Sequence, residues 1–528
     1  MSAREITKKL RAWEAGRPIP RYDTIHHAIV PESQALIVAF VRMAGESRPW
    51  GIAWGTVDSG PTIHTVPDGR VRDDVAELCA EFAEELLAHL RVHNWTYDPA
   101  QQNDQPSALR QVWFPNGQHI EMLHQLSYTY SQTKFGGANR EILQALGRLA
   151  GWMFRETSRK GSQHVINASQ SLSDAYVFPA QGARTAHLGF QLAWLETTGD
   201  REVRLAAAAD AEGLTISATM DPDLDRGDPA HGRPGLVDLV EKWQASRREG
   251  APDTDAADAI AAILEPELRR RWELTQQAYL LLANNDRPVN AGVRELVVEA
   301  QSEFWFQHQR LELKLNDPSQ GPAFVPHPET DYHGSSAASR YLEYEAADEA
   351  FVGRLIHDDP ELFEESLDSG HAIRGEVIGV QDLGVGGSTR PTWTLRIPPD
   401  AINRLREGGR LTPFGSPGHE VTVLGLDFSE AALDVSLEWT GRKTMPLAVG
   451  LGARPIDVAW VGEQVAFVTS DAADLTRRRS QRVWGARTGP GAWLTHGRFP
   501  AQVVIQDDDG GSDLLLDDVR QIEGGDVA

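Results

Sequence analysis

The sequence predicts an α+β, multidomain fold: an N-terminal β-meander with helices, a helical middle, and a C-terminal small antiparallel β-barrel-like region. Three observations carry this. The chain has 528 residues, more than one core usually serves, since domains run to about 100–200 residues. Its apolar pattern passes from short runs to spacings of three and four, and then back to alternation. After Ala372, turn signals recur roughly every ten residues, the rhythm of short antiparallel strands. The boundaries that follow are 1–160 for an N-terminal α+β domain, 161–320 for a mainly helical region, 321–370 for a Pro-rich connection with acidic helices, and 371–528 for the β-rich domain.

Residues 1–15 read as an amphipathic helix, with Leu10 and Trp13 at helical spacing and AGRP as its stop. ALIVAFVRM, PWGIAWGTV and TIHTVP read as three strands of a meander, divided by Gly- and Pro-containing turns. In VRDDVAELCAEFAEELLAHL, Val75, Leu78, Cys79, Phe82, Leu86 and Leu90 share one helical face. Cys79 lies in that apolar stripe and is expected to be a buried structural thiol. NWTYDPAQQNDQPSA reads as a polar loop, and RQVWFP as a strand ending in a Pro-Asn-Gly turn. Helices are expected at HIEMLHQLSYTYSQTK, EILQALGRLAGWMFRET, GARTAHLGFQLAWLET and REVRLAAAADAEGL, whereas 163–178 fits neither period. MDPDLDRGDPAHGRPG reads as an exposed loop or linker. Further helices follow at LVDLVEKWQASRREG, DAADAIAAILEPELRRRWELTQQAYLLLAN and VRELVVEAQSEFWFQHQRLELKL, the last two forming a hairpin around NNDRPVN. Beyond the Pro-rich 316–336 stands an acidic helix or helix pair, then five short strands from AIRGEVIGVQDLG to ALDVSLEWT. IDVAWVGEQVAFV and a final hairpin around DDDGGSD form a second β-rich stretch.

Composition excludes several classes. Lys plus Arg is 51 and Asp plus Glu is 76, a net charge of −25. Charge of that sign repels nucleic acid and anionic membrane. It is unevenly spread, however: residues 372–500 carry 15 Lys/Arg against 13 Asp/Glu, so the rest of the chain holds all the negative excess. No apolar run approaches a membrane span, and MSAREITKKLRAW lacks a signal peptide's apolar stretch. A cytoplasmic location without membrane contact is the expectation. One cysteine permits neither an internal disulfide nor a thiolate metal cage. The phosphate loop, dinucleotide fingerprint, zinc-protease, serine-hydrolase and kinase motifs are all missing. TGRKT at 440–444 lacks the glycine spacing of a phosphate loop. The sequence therefore points away from an enzyme and implies no cofactor.

Three constellations remain. The basic, aromatic set comprises Arg477, Arg478, Arg479, Arg482 and Trp484, with Arg404 and Arg406 in the barrel segment and Arg442 and Lys443 after it. Guanidinium groups pair with phosphates and an indole offers a stacking face, so this set could hold nucleic acid. Its ordinary explanation is tryptophan in a core and arginine paired with the acidic 358–368. The second is Glu312 and Lys314 in RLELKL. An acid and a lysine two apart on a strand can hold Mg²⁺ and activate water, as in metal-dependent nucleases, with Asp286 or Glu299 as the second acid. On a helix the two would diverge, and the run before them reads as helix. The third is the alternating His327, Glu329, Asp331 and His333, a candidate divalent-metal set whose ordinary explanation is a solvated linker. The doublet His26-His27 is less specific.

The segments GEVIGVQDLG, PTWTLRI, RLREGGRLTPFGSPGH and LDVSLEWTGRKT give residues 370–500 a texture that resembles the accessory barrel region of Upf1-like superfamily 1 helicases. The motor's nucleotide loop is missing. The resemblance thus implies a motor-less accessory piece beside a separately encoded ATPase, and transfers no functional residue.

The leading expectation is a non-enzymatic bacterial accessory protein. It would contact nucleic acid through the C-terminal β domain, and a protein partner (an ATPase/helicase or nuclease) through its acidic helices. Genome maintenance or defence against phage would be its setting. The alternatives are a metal-dependent hydrolase or nuclease, and a purely structural subunit.

Overall fold

The computed structural model describes residues 3–91, 95–98, 103–106, 110–157, 164–180, 186–221, 224, 226–227, 234–290, 293, 351–381, 390–416, 419–429, 431–440, 444–446, 453–455 and 458–469. In chain order, α1 (Ala3–Ala15) and β1 (Ile19–Pro20) precede β2 (Ala35–Val41), β3 (Gly51–Thr56) and β4 (Thr62–Thr65). Then come α2 (Arg72–Arg91), β5 (Trp95–Asp98), β6 (Asn103–Pro106) and β7 (Gln111–Phe114). α3 (Gly117–Tyr130), α4 (Arg140–Glu156), β8 (Val165–Asn167), α5 (Ala168–Ala175) and β9 (Tyr176–Val177) follow. The next helices are α6 (Leu188–Glu196), α7 (Arg201–Glu212), α8 (Leu236–Arg248) and α9 (Thr254–Ala283). After α10 (Pro360–Ser369) the chain is mainly β: β10 (Ala372–Gln381), β11 (Thr392–Ile397), β12 (Arg410–Pro413), β13 (Glu420–Phe428), β14 (Leu433–Thr440), β15 (Thr444–Pro446), β16 (Ala453–Pro455) and β17 (Gln464–Val468).

The meander is present, and it is one half of a larger sheet ordered β4-β3-β2-β7-β8. β2, β3 and β4 pair antiparallel, whereas β2–β7 and β7–β8 are parallel. This explains why β2 is apolar at every position. Side chains alternate across a strand. Leu36, Val38 and Phe40 therefore enter a core with α2, α3 and α4. Ala35, Ile37, Ala39 and Val41 enter a second core with α5, α6, α8 and α9. A strand covered on both faces reads as a continuous apolar run. The helices expected in the 161–320 region thus pack on the sheet's second face and share its core.

Small residues set two close approaches. At Gly51 a Cβ would stand 2.7 Å from Leu268 Cδ1 on α9. At Gly147 on α4 it would stand 2.2 Å from the Ser131 backbone nitrogen, just past the end of α3.

Several expectations change. The polar stretch 94–108 contains the antiparallel pair β5–β6. At Pro-Asn-Gly the strand gives way directly to a helix: Asn116 caps α3, accepting from the backbone N–H groups of Gln118 and His119. Residues 165–177 alternate strand, helix and strand within 13 residues, too short a run for either period to register. The acidic stretch takes the second of its two expected forms, a helix pair: 351–369 is divided at Asp359, whose carboxylate caps α10. The second β-rich stretch belongs to the barrel, because β17 pairs with both β10 and β12 and so closes it. The long hairpin partner after NNDRPVN, the Pro-rich connection and the final hairpin lie outside the described residues.

The barrel is closed and six-stranded, ordered β10-β11-β14-β13-β12-β17. Its interior is packed by Val377, Trp393, Leu395, Val421, Val435, Leu437, Trp439 and Phe467, with Trp460 beside them. Trp393 and Trp439 meet edge to face at 5.0 Å between centroids, a favoured aromatic geometry.

Candidate functional site

Open sheets with parallel strands bind ligands beyond the strands' carboxyl ends, where the chain turns from one side of the sheet to the other. Here that point lies between β2 and β7, since the meander runs one way from β2 and the helical crossovers run the other. It is filled by the chain itself. Residues 215–220 run across it as a strap and present consecutive carbonyls to a set of donors. Thr215 O accepts from Arg270, and Ile216 O accepts from His119 Nε2 at 2.9 Å and Asn116 Nδ2 at 3.3 Å. Ser217 O accepts from Arg271 Nε at 2.9 Å. Ala218 O accepts from the backbone N–H of Arg42 at 2.7 Å, and Met220 N–H donates back to Arg42 O at 2.8 Å. Ile216, Ala218 and Met220 alternate into the interior and are buried.

The electrostatics fit a structural role. His119 is wholly buried, and its Nδ1 accepts from the Phe40 backbone N–H at 3.0 Å. Nε2 therefore carries the proton of a neutral ring. Burial, with the charges of Arg271 and Arg42 nearby, holds its pKa down to about 3. Arg271 is also buried, and burial lowers it to about 10 against the pull of Glu267, which accepts from Nη1 at 2.7 Å. No carboxylate of the kind that holds a catalytic cation comes from β2 or β7, whose residues are ALIVAFV and QVWF. Sequence reasoning missed Asn116, His119 and Arg271. The available signal was a capping Asn at the end of an apolar strand with a His three residues on.

The sequence-predicted residues fall as follows. Arg404 and Arg406 are exposed on the segment before β12, and Arg404 Nε donates to Ser369 O at 3.2 Å. A groove of about 550 Å³ is lined by Asp368, Arg374, Glu376, Arg396, Asp400 and Ile402 among others, and Arg404 is not part of its lining. The barrel's other described arginines are paired: Arg374 with Glu364, Arg390 with Glu438 at 3.2 Å, Arg396 with Asp434 at 2.7 Å and Arg410 with Glu420 at 3.0 Å. From 372 to 469 the described residues hold seven Lys/Arg and eight Asp/Glu. Trp393, Trp439 and Trp460 are interior and offer no stacking face. Arg442, Lys443, Arg477, Arg478, Arg479, Arg482 and Trp484 lie outside the described residues.

Glu312, Lys314, His327, Glu329, Asp331 and His333 also lie outside them. Asp286 is exposed after α9, at a shallow cavity shared with Tyr176, Glu196 and Arg287. His26 is partly buried and stacked on Tyr22, and His27 Nε2 lies 3.4 Å from Asp174. Cys79 is buried, and burial pushes its thiol up to about 12. Among the described residues no group of three or more His, Cys, Asp or Glu is placed to hold a metal ion, and no helix is long and apolar enough to cross a membrane.

Comparison with family models, with curated proteins and with solved structures finds no match to this chain.

Proposed function

We propose that this chain is a non-enzymatic accessory protein that acts by binding. The observation that carries the reading is the strap at the sheet's carboxyl end. The place where such a sheet usually holds a substrate is occupied by residues 215–220, to whose backbone carbonyls Asn116, His119, Arg270 and Arg271 each donate. Nucleic acid is the proposed ligand, through the C-terminal region. Seven Lys/Arg against eight Asp/Glu leave the described barrel without a positive excess, so the contact rests on Arg477, Arg478, Arg479, Arg482 and Trp484, with exposed Arg404 and Arg406 beside the barrel. A separately encoded ATPase/helicase or nuclease is the proposed protein partner, and that part rests on the texture resemblance alone.

The test is a titration of the full chain against labelled single-stranded and duplex DNA over a range of salt. Binding should weaken as salt rises. For single strands, R477Q/R478Q/R479Q should lower the log–log slope by about 2, since each neutralised phosphate contributes about 0.7. Salt-independent binding, or none, contradicts the nucleic-acid part of the reading.

A further inference from the structure

The pairing of the barrel leaves the first part of β10 with a single neighbour. β10 begins at Ala372, yet its register with β11 begins only at Glu376, opposite Arg396. Residues 372–375 have register partners in β17 alone. The cause is in the sequence. Carried two residues further, the register would set Pro398 opposite Arg374, and proline has no N–H to give a ladder. The chain turns away there, with Ala401 N–H donating to Pro398 O at 3.1 Å. Thr469 N–H donates to His371 O at 2.9 Å and Val377 N–H to Glu463 O at 3.0 Å, so the odd-numbered residues here bond towards β17. Ala372 and Arg374 therefore turn their N–H and C=O groups the other way, to the side that β11 has left.

The groove of about 550 Å³ lies along this edge, since residues 372–376 line it together with 396–398 and 400–402. Pro398, Ala431 and Ile402 give it apolar surface, and Ile402 is 59 % exposed. Its unmatched charge is acidic. Arg374 is tied to Glu364, and Arg396 to Asp434 through two bonds of 2.8 and 2.7 Å. Asp368, Glu376 and Asp400 are exposed and have no ion-pair partner among the described residues. An open strand edge captures extended peptide: main-chain bonds hold it, and the side-chain surroundings choose its sequence. Three unmatched carboxylates select basic side chains and repel a polyanion.

We infer that this groove docks an extended peptide of a partner protein, with basic side chains around an apolar one, as a short strand added to β10. The open edge sets the peptide's backbone form, Ile402 its apolar residue and the carboxylates its charge. The site holds no nucleic acid, so it stands or falls independently of the C-terminal arginines.

The experiment is fluorescence anisotropy of a labelled seven-residue peptide of alternating lysine and valine with the full chain. The wild type is compared with E376Q/D400N and I402A. Glu376, Asp400 and Ile402 are exposed, so these variants preserve the fold. E376Q/D400N should weaken binding about fivefold, through two lost surface ion pairs. I402A should weaken it about fivefold through lost apolar contact. Two further peptides separate strand addition from attraction of charge. The same peptide with every central main-chain nitrogen methylated keeps its charge but cannot pair as a strand, and should bind about tenfold more weakly. A peptide of alternating glutamate and valine should not bind. Equal binding of the methylated and parent peptides would overturn the inference. So would unchanged affinity in both variants, or no binding of the parent peptide at millimolar concentration. Self-association that E376Q/D400N abolishes, with no peptide bound, would overturn it in favour of a second copy of this chain. Tighter peptide binding by R477Q/R478Q/R479Q would overturn it in favour of the chain's own arginines as the occupant.

Discussion

His119 shows how one side chain fixes the character of the sheet's open end. Its two nitrogens join β2 to the strap, and the bond that Nδ1 accepts requires a neutral ring. In the folded state its pKa is held down to about 3, and burial lowers His26 and His89 to about 4 and His357 to about 3. An unfolded histidine takes its proton near pH 6.5. Below that pH the unfolded chain binds protons that the folded chain refuses, so stability falls as pH falls from about 6.5 towards 4. Melting temperature should therefore drop across that window. H119Q, which keeps a donor and an acceptor, should recover roughly 2 kcal/mol of the loss between pH 7 and 4.5. A pH profile for H119Q parallel to the wild type would contradict the assignment. Cys79 gives a second check at this scale. A thiol raised to about 12 in an apolar core should resist a thiol reagent in the native protein and react fully only on unfolding. Its burial was legible from the stripe Val75, Leu78, Cys79, Phe82. The role of His119 was not, because its partners lie 79 and 97 residues away in sequence.

Elements read well where a local period was long enough to register. α2, α3, α4 and α9 follow from apolar spacing, and the strands of the barrel from alternation between turns. β8, α5 and β9 did not, since each is shorter than the window needed to see its period. Parallel pairing of β2, β7 and β8 was also invisible: a continuous apolar run says that both faces are covered, but not by which partners. Helix packing was hidden for a related reason. Gly147 and Gly151 on α4 stand against Ser131 and Ser127, and nothing local marks a glycine in a helix as a point of close approach. G147A should destabilise the fold by about 1–3 kcal/mol through overpacking against backbone that has little room to move. Urea denaturation measures this, and a stability equal to or above the wild type would contradict the packing.

For the whole molecule, the placement of charge differs from what its totals along the sequence suggest. The small excess of positive charge in residues 372–500 is present in the sequence, yet the described residues of the closed barrel from 372 to 469 do not carry it. Its arginines largely answer their own carboxylates, and its tryptophans fill the interior. The acidic stretch 358–368, which the sequence offered as a partner for barrel arginines, does take Arg374, but it also takes Arg4 and Lys8 from the opposite end of the chain. That pairing could not be read from composition, because it depends on which helix faces which. The most direct test of action by binding without turnover is an electrophoretic assay of end-labelled single-stranded DNA with the full chain and Mg²⁺. A retarded complex that yields the strand at full length after denaturation is the predicted result. Shortened strand, or no retardation at any protein concentration, would contradict it.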